Sequence, residues 1–430
     1  MAREIGPFFL CFRNVLSHTD HMQLHGVEIR EVAGSPDVRR VSASLEFDDA
    51  SRFELWAEIP ERNAAVAATS GNAWVIAMLP MAAARGEDIR MSLSVDALLL
   101  ENLHGVLEIW RGWYAQVGEI RIFAPVAEFE SGRRDRVAAF YSGGIDSYFT
   151  VARRVGGAAT GVAQIGRLDT LVSVWGFDVK VDDAVQFGPL ARALEIGASK
   201  LGLQQVVVRT NLRVAEPLIR FKDAWRKLSH GAGLAFVAHL LAADHGEVVI
   251  GSSHTYGRLF PWGSDPMLDP LYSASGLRIT HDGAMYSRTA KTDVVGRFEP
   301  ASKSLHVCLA QGQSNCSHCE KCYRTMMTLD IFGHKDLMRD AFDWSLYDVR
   351  NIRRFVVRTD ADRLFRDEIL AAASARGRND IVDAFAAATR RSLVVVPILK
   401  FSERLMLLPG IWRLGMSLKA FVSRGPIRKI

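Results

Sequence analysis

The chain is predicted to be α/β: a parallel sheet with helices on both faces over residues 133–335, preceded by a smaller α+β unit over 1–132 and followed by a helical region over 336–430. Three observations predict this. Between residues 137 and 250, short apolar runs alternate with stretches of helical period, as in a parallel sheet with crossover helices. Before residue 132, alternating strand patterns follow one another, which suggests an antiparallel sheet. After residue 332, helical periods continue without strand signals.

The elements follow in order. Residues 41–47 and 52–59 alternate apolar and polar side chains, as half-buried strands do. Residues 74–79 form a short apolar run and read as a buried strand. Over 96–114, Leu99, Leu103, Val106, Leu107 and Trp110 recur at helical spacing. Residues 120–123 read as a further strand. This first unit shows no chemistry. His18, Asp20, His21 and His25 are spaced like metal ligands but read as surface histidines, and Cys11 reads as a small core residue. Glu130-Ser131-Gly132-Arg133-Arg134-Asp135 is a polar, charged break and marks the boundary.

Beyond it come strands at 137–140, 171–175, 205–209 and 247–250, with helical stretches at 184–201 and 228–243 between them. Ligands of such sheets bind at the carboxyl ends of the strands. The first of those ends carries Tyr141-Ser142-Gly143-Gly144-Ile145-Asp146-Ser147, a glycine turn leading into a helix. Glycines let backbone approach a ligand, and a helix start offers unpaired N–H groups to a phosphate. Neither G-x-x-x-x-G-K-[ST] nor G-x-G-x-x-G is present. The long Gly-, Pro- and Asp-rich stretch 254–275 follows the fourth strand and is placed for substrate contact, with His254, Asp265 and Asp269 as its contact residues. Lys291, in Thr289-Ala290-Lys291-Thr292-Asp293, has the reach to meet a phosphate as a point charge.

Four of the five cysteines are grouped: Cys308, Cys316, Cys319 and Cys322. Thiolates at that spacing converge on one tetrahedral Zn²⁺, with four ligands and no open position, so the ion is expected to be structural. An iron–sulfur cluster is the alternative. The N-terminus has no signal-peptide pattern, and no run is long and apolar enough to span a bilayer, so the expected compartment is the cytoplasm. A net charge of +5 over 430 residues gives no argument for nucleic acid. The end of the chain is basic: Lys400, Arg404, Arg413, Lys419, Arg424, Arg428 and Lys429 stand against Glu403 alone, as in a docked helix or one lying on a membrane surface.

The motif Ser142-Gly143-Gly144-Ile145-Asp146-Ser147 resembles the PP-loop of the ATP pyrophosphatases. Together with Lys291-Thr292-Asp293 and Cys316-Ser317-His318-Cys319-Glu320-Lys321-Cys322, in the same order along the chain, it resembles the QueC-like branch, whose type member is 7-cyano-7-deazaguanine synthase. The resemblance covers about residues 137–332. It implies a HUP-type fold, ATP with Mg²⁺ and structural Zn²⁺. It further implies that Ser142, Gly143, Gly144, Ile145 and Ser147 hold the β,γ-phosphates. Asp146, Lys291 and Asp178 are then the catalytic set, with Gly176 and Asn211 near the nucleotide. Trp175-Gly176-Phe177-Asp178 stands where the synthase has a Tyr-Gly-Gln type sequence, and the 262–270 loop also differs, so the acceptor is expected to be different. The expected reaction is adenylation of a carboxylate or amide oxygen, followed by attack of ammonia or another nucleophile. The alternatives are a PP-loop enzyme that thiolates tRNA and a non-catalytic nucleotide-binding scaffold.

Overall fold

The computed structural model describes residues 21–127, 134–308 and 315–406, with Leu414, Met416 and Ser417. Cys11, His18, Asp20, residues 130–133 of the charged break, and Arg413, Lys419, Arg424, Arg428 and Lys429 of the basic end lie outside the described residues.

The first elements are strands β1 (His21–Val32), β2 (Ser35–Glu46) and β3 (Arg52–Pro60), helices α1 (Glu61–Thr69) and α2 (Asn72–Arg85), strands β4 (Asp88–Arg90) and β5 (Val95–Asp96), helix α3 (Ala97–Trp113), and strands β6 (Ile122–Phe123) and β7 (Val126–Ala127). Then come β8 (Val137–Phe140), α4 (Ile145–Val155), β9 (Thr170–Trp175), α5 (Ala184–Lys200), β10 (Gln204–Thr210), α6 (His230–Leu240), β11 (Glu247–Gly251) and β12 (Arg278–Asp282). Helices α7 (Arg288–Gly296), α8 (Glu320–Ile331), α9 (Asp360–Ala375) and α10 (Asn379–Met406) complete the order.

Among the described residues, ten strands form one sheet in the order β12-β11-β8-β9-β10-β3-β2-β1-β4-β6. Strands β12, β11, β8, β9 and β10 run parallel. Their order reverses beside β8, which is the switch point of a doubly wound sheet. Strand β3 joins β10 antiparallel, with Arg209 opposite Glu58 and Thr210 opposite Ala57. Strands β1 to β3 are antiparallel, as expected of the N-terminal unit, though β1 was not anticipated, and β4 and β6 (the expected strand at 120–123) add to β1 in parallel. They continue the same sheet, so 1–132 and 133–335 share it. The architecture is α/β, with a large, mostly parallel sheet flanked by helices.

Side chains alternate across that sheet. Ala138, Phe140, Val172, Val248 and Ile250 face one core, which they share with α2, α3 and α6. Val137, Ala139, Leu171 and Val249 face the other, with residues of α4, α5, α7 and α8. A third core docks α9 and α10 on α8 through Tyr323, Met327, Ile331, Ile369, Ala373, Ile381 and Phe385. Farther along α10, Val395, Leu399 and Ser402 are buried, and Glu403 pairs with Arg358. No helix among the described residues is long and apolar enough to cross a membrane.

Two expectations are corrected. Residues 74–79 lie in helix α2, not a strand. The run is apolar all round because the helix is buried on every side from Asn72 to Ala83, and a continuous apolar run does not distinguish a buried helix from a buried strand. The described part of the helical stretch 369–388 is split between α9 and α10 at Gly377, whose φ is +66°. Trp74 anchors α2: it is fully buried, its Nε1–H donates to the Ala67 carbonyl at 2.8 Å, and its ring meets Phe236 of α6 edge-on at 5.9 Å. Trp74→Ala is expected to destabilise the protein by about 3–5 kcal/mol, read from urea unfolding. Because α6 belongs to the parallel half, a single transition is expected to shift as a whole.

Candidate functional site

Strand β8 ends at Phe140, and the chain turns through Gly143 into α4. Gly143 has φ +79°, and a Cβ there would lie 2.9 Å from Leu194 Cδ2 and 3.2 Å from the Ser304 carbonyl oxygen. The turn is pinned from outside, since the His306 N–H donates to the Gly143 carbonyl at 2.8 Å. Inside it, the Gly144 N–H reaches Ser142 Oγ at 3.4 Å and the Ser147 hydroxyl donates to the Gly144 carbonyl at 2.9 Å. Among the described residues no side chain caps α4, whose N-cap is Gly144. The first-turn N–H groups of a helix have no partner within it and carry partial positive charge.

Two cations converge on this turn from α7. The Arg288 guanidinium donates to Asp146 Oδ2 at 2.8 Å. The Lys291 ammonium stands 3.7 Å from Asp146 Oδ1 and donates to the Ser252 carbonyl at the end of β11. Lys291 is 1% exposed. Burial lowers the pKa of its ammonium, and Asp146 opposes that shift. Asp146 Oδ1 is buried and has no hydrogen-bond partner among the described residues. The Ser253 hydroxyl lies 3.4 Å from Asp146 Oδ2. Arg288 and Ser253 were not singled out by sequence reading. The available signal was helical spacing, for Arg288 stands one turn before Lys291 on the same face.

The loop after β11 brings a second group of side chains to the same end of the sheet. His254 packs against Phe260 at 4.5 Å and Trp262 at 5.5 Å, and its Nδ1 is buried without a partner among the described residues. Burial pushes its pKa down to about 4. Asp269 is fully buried: its Oδ2 accepts from Ser264 Oγ at 2.8 Å and pairs with His281 Nδ1 at 2.6 Å. His281 comes from β12, a strand that sequence reading missed. Asp269 Oδ1, His281 Nε2 and the Tyr272 hydroxyl are buried without partners among the described residues. Asp265 is also buried and accepts the Met267 N–H at 2.9 Å, and burial raises its carboxyl pKa.

Other predicted site residues stand elsewhere. Asn211 is held between the two halves of the sheet: its Oδ1 accepts the Trp56 N–H at 2.8 Å, and its Nδ2 donates to the Glu54 carbonyl at 2.7 Å. Each polar end makes one bond across the β10–β3 junction, so Asn211 ties the two halves of the sheet together. Gly176 has φ +121°, and a Cβ there would sit 1.9 Å from the Thr210 carbonyl oxygen, so close strand packing requires glycine. Asp178 is exposed on the rim, where its charge acts on His230 and His306. In the N-terminal unit, His25 is bonded to Glu46 at 3.0 Å.

The four cysteines form one cluster, with all four sulfurs within 4.8 Å of one another. The Cys308–Cys319 and Cys316–Cys322 sulfurs are 3.8 and 3.9 Å apart. Four thiolates bound tetrahedrally at about 2.3 Å from one ion would be about 3.8 Å apart. The Cys319 N–H points at Cys316 Sγ (3.3 Å) and the Cys322 N–H at Cys319 Sγ (3.4 Å). Such N–H contacts orient thiolate ligands. Hydrogen bonding to Cys308 pushes the Cys319 thiol up to about 12. A bound cation reverses that tendency by favouring the thiolates. The cluster is therefore able to hold a metal ion.

His239 supplies a pH prediction. It is 5% exposed on α6, bonds the Tyr272 carbonyl through Nε2 at 2.8 Å, and is pushed down to about 4 by burial. An unfolded histidine titrates near 6.5. The folded protein therefore keeps a neutral imidazole that the unfolded chain would protonate. The stabilisation is complete above pH about 6.5 and is lost progressively towards pH about 4. His239 alone is expected to make the protein about 2 kcal/mol less stable at pH 5 than at pH 8, read from urea titrations at the two values. A His239→Gln variant is expected to show a smaller difference.

No protein-family model, no curated protein and no solved structure matches this chain.

Proposed function

We propose that the chain is an ATP-dependent enzyme of the PP-loop type, QueC-like in its chemistry. It splits ATP into AMP and pyrophosphate by adenylating a carboxylate or amide oxygen of an acceptor, which ammonia or another nucleophile then attacks. One observation carries the reading: an uncapped helix start at a positive-φ glycine meets a buried Lys291 and Arg288, both on Asp146. A Walker-type site would supply its lysine from the loop itself, whereas here the cations come from a distant helix.

The amides that open α4 receive the β- and γ-phosphates, and Lys291 and Arg288 offset the charge that develops on the leaving pyrophosphate. The unpartnered Oδ1 of Asp146 suits a Mg²⁺ ligand, and Mg²⁺ supplies further neutralisation of pyrophosphate when bound. The acceptor approaches along the loop after β11, past His254. That histidine is kept neutral by burial and offers an unpartnered Nδ1 as a hydrogen-bonding contact for the acceptor. Asp269 orients His281 through Nδ1 and leaves Nε2 for the same face. The cysteine cluster is assigned to Zn²⁺ in a structural role, since four thiolates leave no open position and the sulfur separations suit a single small ion.

The test is exchange of labelled pyrophosphate into ATP, followed by a screen of carboxylates for acceptor-dependent AMP release. AMP and pyrophosphate are the expected products. Release of ADP, or ATP binding without exchange under every acceptor tried, would replace this reading with a kinase or a scaffold. RNA retained through purification, with sulfur transfer to it, would favour the tRNA-thiolating alternative.

A further inference from the structure

A cavity of about 90 Å³ lies between α7, α8 and α9. Its walls carry Arg288, Lys321 and Arg324, with Thr289 and Phe365 among the neutral lining, and no acidic side chain lines it among the described residues. The Arg324 guanidinium carbon stands over the Phe365 ring, 4.4 Å from its centroid, which holds the side chain against that wall. Among the described residues, neither Lys321 nor Arg324 is in an ion pair. Glu320 and Asp362 stand near Arg324 without pairing with it. Glu368, one turn beyond Phe365, lies near the start of α7, and its Oε2 is buried without a hydrogen-bond partner among the described residues.

Arg288 is paired with Asp146, and Asp178 lies within electrostatic reach of Lys321, yet the three cations still face one chamber and repel one another, which an anion between them offsets. The chamber has room for several water molecules, hence for one tetrahedral group. A planar guanidinium with a fixed fork is suited to two oxygens of one phosphate, and an ammonium on the rim adds a point charge. Thr325 and Thr328 donate their hydroxyls back to the Lys321 and Arg324 carbonyls, so the cations dominate recognition.

We propose that this chamber is a binding site for a phosphate-class oxyanion, held by Arg324 and Lys321 with Arg288 at its inner wall. Arg288 also stands on Asp146, so the chamber adjoins the proposed nucleotide site, and the nucleotide as a source rests on that reading. The oxyanion comes either from the nucleotide's own phosphates or from a phosphate carried by a second molecule.

The full-length protein is titrated calorimetrically with inorganic phosphate and with pyrophosphate, alone and in the presence of a saturating non-hydrolysable ATP analogue. The same titrations are run on Lys321→Gln and Arg324→Gln. Wild type is expected to bind both anions, and Arg324→Gln to weaken that binding about tenfold or more. Lys321 is exposed, so Lys321→Gln is expected to melt like wild type and to bind severalfold more weakly. It decides the matter if Arg324→Gln does not fold. Anion binding abolished by the ATP analogue assigns the oxyanion to the nucleotide. Phosphate binding undiminished by the analogue assigns it to a second, phosphorylated molecule. Equal binding by wild type and both variants, or no binding to folded wild type, overturns the site.

Discussion

Cys319→Ser is expected to leave the purified protein without its metal ion and to melt the segment that carries the cluster. The other three sulfurs would remain, but a structural zinc site loses most of its affinity with one thiolate. Such sites contribute on the order of 10 kcal/mol to the folding of what they clamp. Here the clamp lies at the N-terminus of α8, where Cys319 is the N-cap and its sulfur accepts the Cys322 N–H. The consequence extends past the loop. Helix α8 feeds two cores: Met326 and Leu329 pack towards the sheet, and Tyr323 and Met327 pack towards α9 and α10. Metal content by atomic emission is expected to fall from one equivalent to none, with a lower melting temperature. Wild type treated with a strong chelator is expected to behave in the same way. A metal-free wild type that melts unchanged would remove the ion from the account.

Lys291→Ala is expected to lower the rate of ATP–pyrophosphate exchange about 10²–10³-fold, the usual loss when one preorganised donor to developing charge is removed. The expected size follows from burial: this ammonium is 1% exposed, so water screens it little. Lys291→Arg is not a neutral control, because a guanidinium is larger and would crowd Phe149, which lies 5.6 Å from the ammonium. Arg288 remains on Asp146 in both variants, so the carboxylate keeps a partner. Melting curves separate lost chemistry from lost structure. Exchange at the wild-type rate in a folded Lys291→Ala protein would take Lys291 out of the reaction.

Some of this was legible along the chain because the informative residues are neighbours in it. The glycine turn and the cysteine run each fall within a few residues, and local spacing is enough to bring their atoms together. Four parallel strands were legible because both faces of the sheet are covered and the strands read as apolar runs. Strand β12 was not, because Arg278, Thr280, His281 and Asp282 make it polar. Those side chains meet partners from other elements: Arg278 and Thr280 meet Glu247, His281 meets Asp269 through Nδ1, and Asp282 meets Thr150 and Arg153. Asn211 shows the reverse case. It stands at a strand end, where ligand contacts are expected, yet its partners are backbone groups of β3.

The sequence by itself determined the kinds of element over most of the parallel half, the position of the glycine turn before α4 and the grouping of four cysteines able to hold a metal ion. These depend on periodicity and on short spacings, which the backbone converts into geometry with few alternatives. Only the tertiary structure decided that the N-terminal strands extend the same sheet, that Trp74 lies in a helix, and that Arg288 and Lys291 meet Asp146. It also brought Arg288, Lys321 and Arg324 round one chamber. Each of these depends on which surfaces bury one another, and side chains distant along the chain carry no local mark of their partners.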